Sequence, residues 1–130
     1  MEWFRQAQED MSAVRSNLEA GKFNWACFIA QQVAEKALKG LYEEKHEEEP
    51  PHTHSLRMLV ADAVPAGVEI PEEILRALAG LDRHYTISRY RSNLMTVPGE
   101  EYSQADAEEA LEQCSKTLQW ATALSRERDS

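Results

Sequence analysis

The sequence predicts an all-α fold: an antiparallel helical bundle of four long helices plus one short helix, in a single domain over residues 1–130. Three observations carry this expectation. Apolar residues recur at spacings of three and four almost throughout, the period of one helix face. No segment alternates with period two for long enough to make a strand. Breakers at Gly21, Pro50-Pro51, Pro65 to Pro71 and Pro98-Gly99 cut the periodic stretches into lengths usual for bundle helices. At 42% apolar residues, the chain has enough material for a packed core.

Taken in order, Phe4, Ala7, Met11, Val14 and Leu18 line the first helix, and Gly21 stops it. Phe23, Cys27, Ala30, Ala34, Leu38 and Leu41 line a second, longer one. Its alanines Ala26, Ala30, Ala34 and Ala37 let another helix approach the backbone closely. From Glu43 to Glu49, five of seven residues are acids, and Pro50-Pro51 follows. Like charges repel and proline cannot continue a helix, so this segment reads as an exposed loop. Ser55 caps a short third helix with Leu56, Leu59, Val60 and Val64 inward. Pro71 fits the first position of a fourth helix, with Ile74, Leu78, Leu81 and Tyr85 on its stripe and an end near Ser92. Val97-Pro98-Gly99 makes a turn. Ser103 and Asp106 form a capping box for a fifth helix lined by Ala107, Ala110, Leu111, Cys114, Leu118 and Ala121.

The charge balance restricts function. Fourteen basic and 23 acidic residues give a net charge of −9, which argues against tight non-specific binding to nucleic acid. No apolar run reaches the ~18–20 residues that span a bilayer, and the first residues lack the pattern of a signal peptide. Cys27 and Cys114 read as reduced core thiols, which fits a cytoplasmic location. Nucleophile elbows, Walker loops and dinucleotide fingerprints are absent from the sequence. No cofactor is implied.

The fourth helix carries the most informative anomaly. At 100° per residue its apolar stripe continues from Tyr85 to Arg89, and Asp82 lies on the same side. Unpaired charge is costly to bury, so these groups must pair or line a cleft. Arg83, His84 and Arg91 lie close by, a local basic cluster in an acidic chain. Two readings stay open. One is a phosphate or nucleotide site built on Arg89 with Asp82, Tyr85, Tyr90 and Arg91, because the guanidinium fork suits phosphate. The other is an internal Asp82–Arg89 ion pair beside solvated arginines, which spacing alone favours. His46, His52 and His54 lack any recognisable metal-ligand spacing, so no metal site is assigned. Gln31, Lys36 and Lys39 edge the second helix, with Glu35–Lys39 read as an i,i+4 pair on its polar outer face. Trp3, Trp25 and Trp120 read as exposed and suggest a subunit surface; apolar residues on more than one helix face make a homodimer the expectation.

These residues also carry a family resemblance. Phe28-Ile29-Ala30-Gln31-Gln32-Val33-Ala34-Glu35-Lys36-Ala37-Leu38-Lys39 resembles the second-helix signature of HEPN domains (higher eukaryotes and prokaryotes nucleotide-binding). Thr53-His54-Ser55-Leu56, Leu81-Asp82 and Ser88-Arg89-Tyr90 match further short motifs, over about Met1 to Ala123. The resemblance implies a bundle of about five helices that commonly dimerises. It also implies two functional classes. Many HEPN proteins are metal-independent ribonucleases, often toxins, with an Arg followed four to six residues later by a His. Here those positions hold Leu94, Met95 and Thr96 after Arg89, and Thr96, Val97 and Pro98 after Arg91. A ribonuclease would therefore rely on Arg89 with His84 as substitute base. Other small HEPN proteins partner a minimal nucleotidyltransferase in two-component, toxin–antitoxin-type systems, and the Arg-Tyr segment here resembles theirs. A homodimeric nucleotide-binding partner of such an enzyme is the primary reading, with nucleotide or RNA as ligand. A divergent ribonuclease is the alternative.

Overall fold

The computed structural model describes residues 2–63, 67–89 and 97–129. Helix α1 runs Trp3–Glu19, α2 Phe23–His46, α3 Leu56–Ala63 and α4 Glu72–Asp82. A 3-10 turn, Arg83–Tyr85, follows directly, and then come a one-turn helix α5 at Pro98–Glu101 and the long α6 at Gln104–Asp129. Strands are absent among the described residues. The alanine-rich α2 is the centre: α1 and α6 pack along it, α3 lies across it, and α4 packs on α6. Its Ala26, Ala30, Ala34 and Ala37 are fully buried, as the small-residue stripe requires. Gly40 extends that stripe. A Cβ placed there would come within 2.9 Å of the Phe4 ring, so the missing side chain sets how closely α1 approaches.

Local signals act where expected. Gly21 adopts φ +76 between α1 and α2, a left-handed conformation that suits glycine. The Ser55 hydroxyl accepts from the Met58 amide at 3.2 Å and caps α3. At the start of α6 the Ser103 hydroxyl accepts from the Asp106 amide at 3.1 Å, and the Asp106 carboxylate accepts from the Ser103 amide at 2.8 Å. The reciprocal pair is a complete capping box. Cys27 and Cys114 are free and buried, and burial pushes both thiols up to about 12, which leaves them inert.

Four expectations need correction. The acidic segment does not leave the helix at Glu43: α2 continues to His46 and ends on Glu47 in a left-handed conformation. Glu43 accepts from Trp3 Nε1 at 3.1 Å and Glu44 accepts from the Ser125 hydroxyl, so two of the five acids find partners on α1 and α6. Helix α4 stops at Asp82, well short of Ser92. Thr86, Ile87 and Ser88 follow, two of them β-branched, and the Ser88 hydroxyl bonds back to the His84 carbonyl. Such residues offer the backbone an alternative to the helix ladder. Pro71 sits one position earlier than expected, as the N-cap of α4. Trp3 and Trp120 are half-buried and not exposed, whereas Trp25 is 45% exposed. Val64 lies outside the described residues.

No helix among the described residues is long and apolar enough to cross a membrane.

Candidate functional site

The end of α4 delivers the site. Because the chain leaves α-geometry after Asp82, Tyr85 and Arg89 are not placed by a straight helical wheel. The turn carries Arg89 back over α2. Arg89 Nε donates to the Tyr85 carbonyl at 2.8 Å, which fixes the root of the guanidinium. Its carbon lies 4.4 Å from the Tyr85 ring centroid and 4.6 Å from that of Phe28. At these distances the ring quadrupoles attract the cation. Trp25, one turn earlier on α2, meets Phe28 edge-on at 6.1 Å. The outcome is an aromatic strip of Trp25, Phe28 and Tyr85 with one guanidinium laid on it. Exposed Ile87 flanks it in sequence. The strip is anchored by a buried contact, in which Asn24 Nδ2 donates to the Ser88 carbonyl at 3.0 Å.

Behind the strip lies a polar layer that the helical pattern did not show. His54 stacks on Tyr85 with a centroid separation of 4.2 Å and planes 12° apart. Its Nδ1 meets Glu35 Oε1 at 3.0 Å, and its carbonyl accepts from Gln31 Nε2 at 2.8 Å. The second Glu35 oxygen holds Lys39 Nζ at 3.2 Å, and Lys39 lies 5.5 Å from the Trp3 ring centroid. Gln31, Glu35 and Lys39 are all buried. The expected Glu35–Lys39 pair therefore exists, but on an inward face and not the polar outer one. The 49–55 segment covers that face, which gives these polar groups the partners that burial demands. Gln31, Glu35 and Lys39 recur every four residues, so the sequence holds a second stripe, a polar one, beside the apolar one. That spacing was the available signal.

The residues singled out from sequence separate into three groups. Tyr85 and Arg89 come together. Asp82 is engaged elsewhere. Its Oδ1 accepts from the Leu56 amide at 2.7 Å, supplying the start of α3 with an acceptor from 26 residues away. His84 turns the other way, into the core, where it is 3% exposed and shares a 2.9 Å hydrogen bond with the Tyr102 hydroxyl. Burial, aided by the neighbouring Arg83 charge, pushes its pKa down to about 4, and burial pushes Tyr102 up to about 12. Both groups are neutral at pH 7. Tyr90 and Arg91 lie outside the described residues. His52 pairs with Glu49 at 2.9 Å on the surface, apart from the Glu35 partner of His54. Among the described residues, no three His, Cys, Asp or Glu side chains gather as a metal-binding group.

Comparison with known proteins bears on this arrangement. A model of the HEPN domain matches residues 1–125. The chain belongs to the HEPN domain family. Solved structures agree. TT1696 from Thermus thermophilus superposes with a TM-score of 0.86 at 34% identity, over 94% of each chain. ST0689, an archaeal HEPN homologue, gives 0.76 at 32% identity, covering 95% of this chain and 94% of its own. An HEPN domain protein from Thermotoga maritima, tm0613, gives 0.74 at 26% identity, over 95% and 97%. No curated protein matches. This HEPN domain thus keeps its signature helix α2 for two purposes at once. The alanine stripe packs the bundle, and Gln31, Glu35 and Lys39 clamp the Thr53-His54-Ser55 segment against Tyr85.

Proposed function

We propose that this HEPN domain is a nucleotide-binding interaction module, with Arg89 taking a phosphate and the aromatic strip taking a base. The observation that carries the reading is the Arg89 guanidinium held over Phe28 and Tyr85 next to exposed Trp25. A guanidinium already laid on aromatic rings loses little freedom on meeting two oxygens of a phosphate. Exposed aromatic surface beside it can stack a base. Tyr90 and Arg91 extend the set in sequence. Asp82 supports it indirectly, by holding α3 against the end of α4.

The same strip supports the module's partnerships. Trp25 and Ile87 remain exposed in the single chain. Large apolar side chains left in water at a family's signature helix fit a homodimer, and a complex with a minimal nucleotidyltransferase in a toxin–antitoxin-type pair. The cytoplasm is where such a pair acts. The ribonuclease alternative has less support, because His84, its substitute base, faces Tyr102 and is neutral and buried. Calorimetric titration with an adenine nucleotide tests the binding reading: saturable binding that weakens in Arg89→Ala supports it, and no binding tighter than about 1 mM overturns it.

A further inference from the structure

We propose that the cavity enclosed by the start of α1, the middle of α2 and the 49–54 segment binds a small phosphomonoester, held by Lys39 and by Nε2 of His54. This site is distinct from the Arg89 strip and goes beyond the nucleotide reading. The cavity measures about 330 Å³, and its lining includes Trp3, Lys39, Glu49, Pro50, His52 and His54. That volume suits a small metabolite and excludes a folded polymer.

Two side chains give the cavity its chemistry. Lys39 is 6% exposed, a buried ammonium. An ammonium has three donors. Among the described residues Glu35 is its one hydrogen-bond partner, and the Trp3 ring at 5.5 Å adds a cation–π contact. Buried charge with unused donors at a cavity wall calls for an acceptor. His54 is the second. Its Nδ1 is taken by the buried Glu35 carboxylate, so Nε2 is the nitrogen left for a ligand, on a side chain that is 49% exposed. Glu35 thus positions both groups without lining the cavity itself, in the manner of a carboxylate that orients a histidine.

The ligand class follows from the proton count. With Nδ1–H given to Glu35, the His54 ring presents a lone pair at Nε2. A phosphomonoester has its second pKa near ~6, so its monoanion, which still carries an O–H, is present near neutral pH. The monoanion's O–H donates to that lone pair while its other oxygens accept from Lys39. A carboxylate, ionised far below neutral pH, offers no such proton. The groups around His54 are Glu35 and Lys39 from α2, Tyr85 stacked on it from the 3-10 turn with Arg89 beyond, and His52 with Glu49 from its own segment. Glu49 opposes an anion, but it is 77% exposed and paired with His52. Solvent screens such a pair strongly.

The test is calorimetric titration of the full chain with inorganic phosphate and with ribose 5-phosphate, which has no base to stack on the Arg89 strip. The expected result is saturable binding that tightens at least about fivefold from pH 8 to pH 6, as the ligand's monoanion population grows. Lys39→Met should weaken it by at least about tenfold, the scale of one lost charge-assisted hydrogen bond. His54→Gln, at a half-exposed position that leaves the bundle intact, should weaken it and abolish the gain at pH 6. Acetate should bind at least about tenfold more weakly than phosphate. No saturable binding of either phosphate probe at pH 6 would overturn the proposal, as would acetate binding equally well. So would binding that survives His54→Gln with its pH dependence intact, even if Lys39→Met fails to fold. Phosphate binding that falls with Arg89→Ala and persists in Lys39→Met would move the anion to the aromatic strip and overturn the cavity assignment, while leaving the nucleotide reading standing.

Discussion

Acidification should destabilise this bundle through one buried histidine, and the size of the effect can be worked out. His84 is 3% exposed and bonded to Tyr102, with its pKa lowered from an ordinary 6.5 to about 4, chiefly by burial. The unfolded chain takes up the His84 proton near pH 6.5, and the folded chain only near pH 4. Between those values the unfolded state binds more protons, so stability rises with pH. The contribution is complete above the unfolded value and is lost as pH falls from 6.5 towards 4. At 1.36 kcal/mol per pH unit, the loss between pH 7 and pH 5 is about 2 kcal/mol, and its ceiling near pH 4 is about 3 kcal/mol. Carboxylates add their own pH dependence, which a control variant removes. His84→Gln does not titrate and keeps a polar group facing Tyr102. Urea unfolding of both proteins at pH 5, 6 and 7 should show wild type losing about 2 kcal/mol more than the variant between pH 7 and pH 5. A difference within about 0.5 kcal/mol would defeat this prediction and mean that His84 is hydrated or charged in the fold.

Two further substitutions probe the packing that positions the site. Gly40→Ala places a methyl 2.9 Å from the Phe4 ring; despite a helix-propensity gain of up to about 1 kcal/mol, it should destabilise by about 1 kcal/mol net, read as a lower urea midpoint. An unchanged or higher midpoint would show that α1 yields freely. Asp82→Ala strips the Leu56 amide of its acceptor and should cost about 1–2 kcal/mol, with faster hydrogen exchange confined to α3. Global loosening without that local signature would contradict the capping role.

Much of the fold was legible because it depends on local chemistry. The apolar stripe of α1, the left-handed stop at Gly21 and the Ser103–Asp106 capping box are all decided within a few residues, and each is found in place. What escaped depends on partners far along the chain. Glu43 reads as a loop acid until Trp3 is brought to it across 40 residues. Gln31 reads as a stripe-edge residue and Glu35 as solvent-facing until His54 arrives, 23 and 19 residues on. Helical periodicity assigns polar residues outward, so a buried polar stripe is invisible to it. The site was half legible. Arg89 and Tyr85 share a face on a helical wheel, and they do meet, although the helix ends at Asp82 and the turn after it brings them together. Asp82 shares that face of the wheel but, as the last residue of α4, gives its carboxylate to the Leu56 amide, whereas His84, about 100° from Tyr85 on the wheel, faces Tyr102.

The functional reading turns on whether Arg89, on its aromatic bed, binds a nucleotide. Calorimetric titration of wild type and Arg89→Ala with ATP at low salt measures this without an intermediary. Saturable binding tighter than about 1 mM is expected in wild type, weakened about tenfold or more in Arg89→Ala. Absence of saturable binding, or equal affinity in the two proteins, would contradict it.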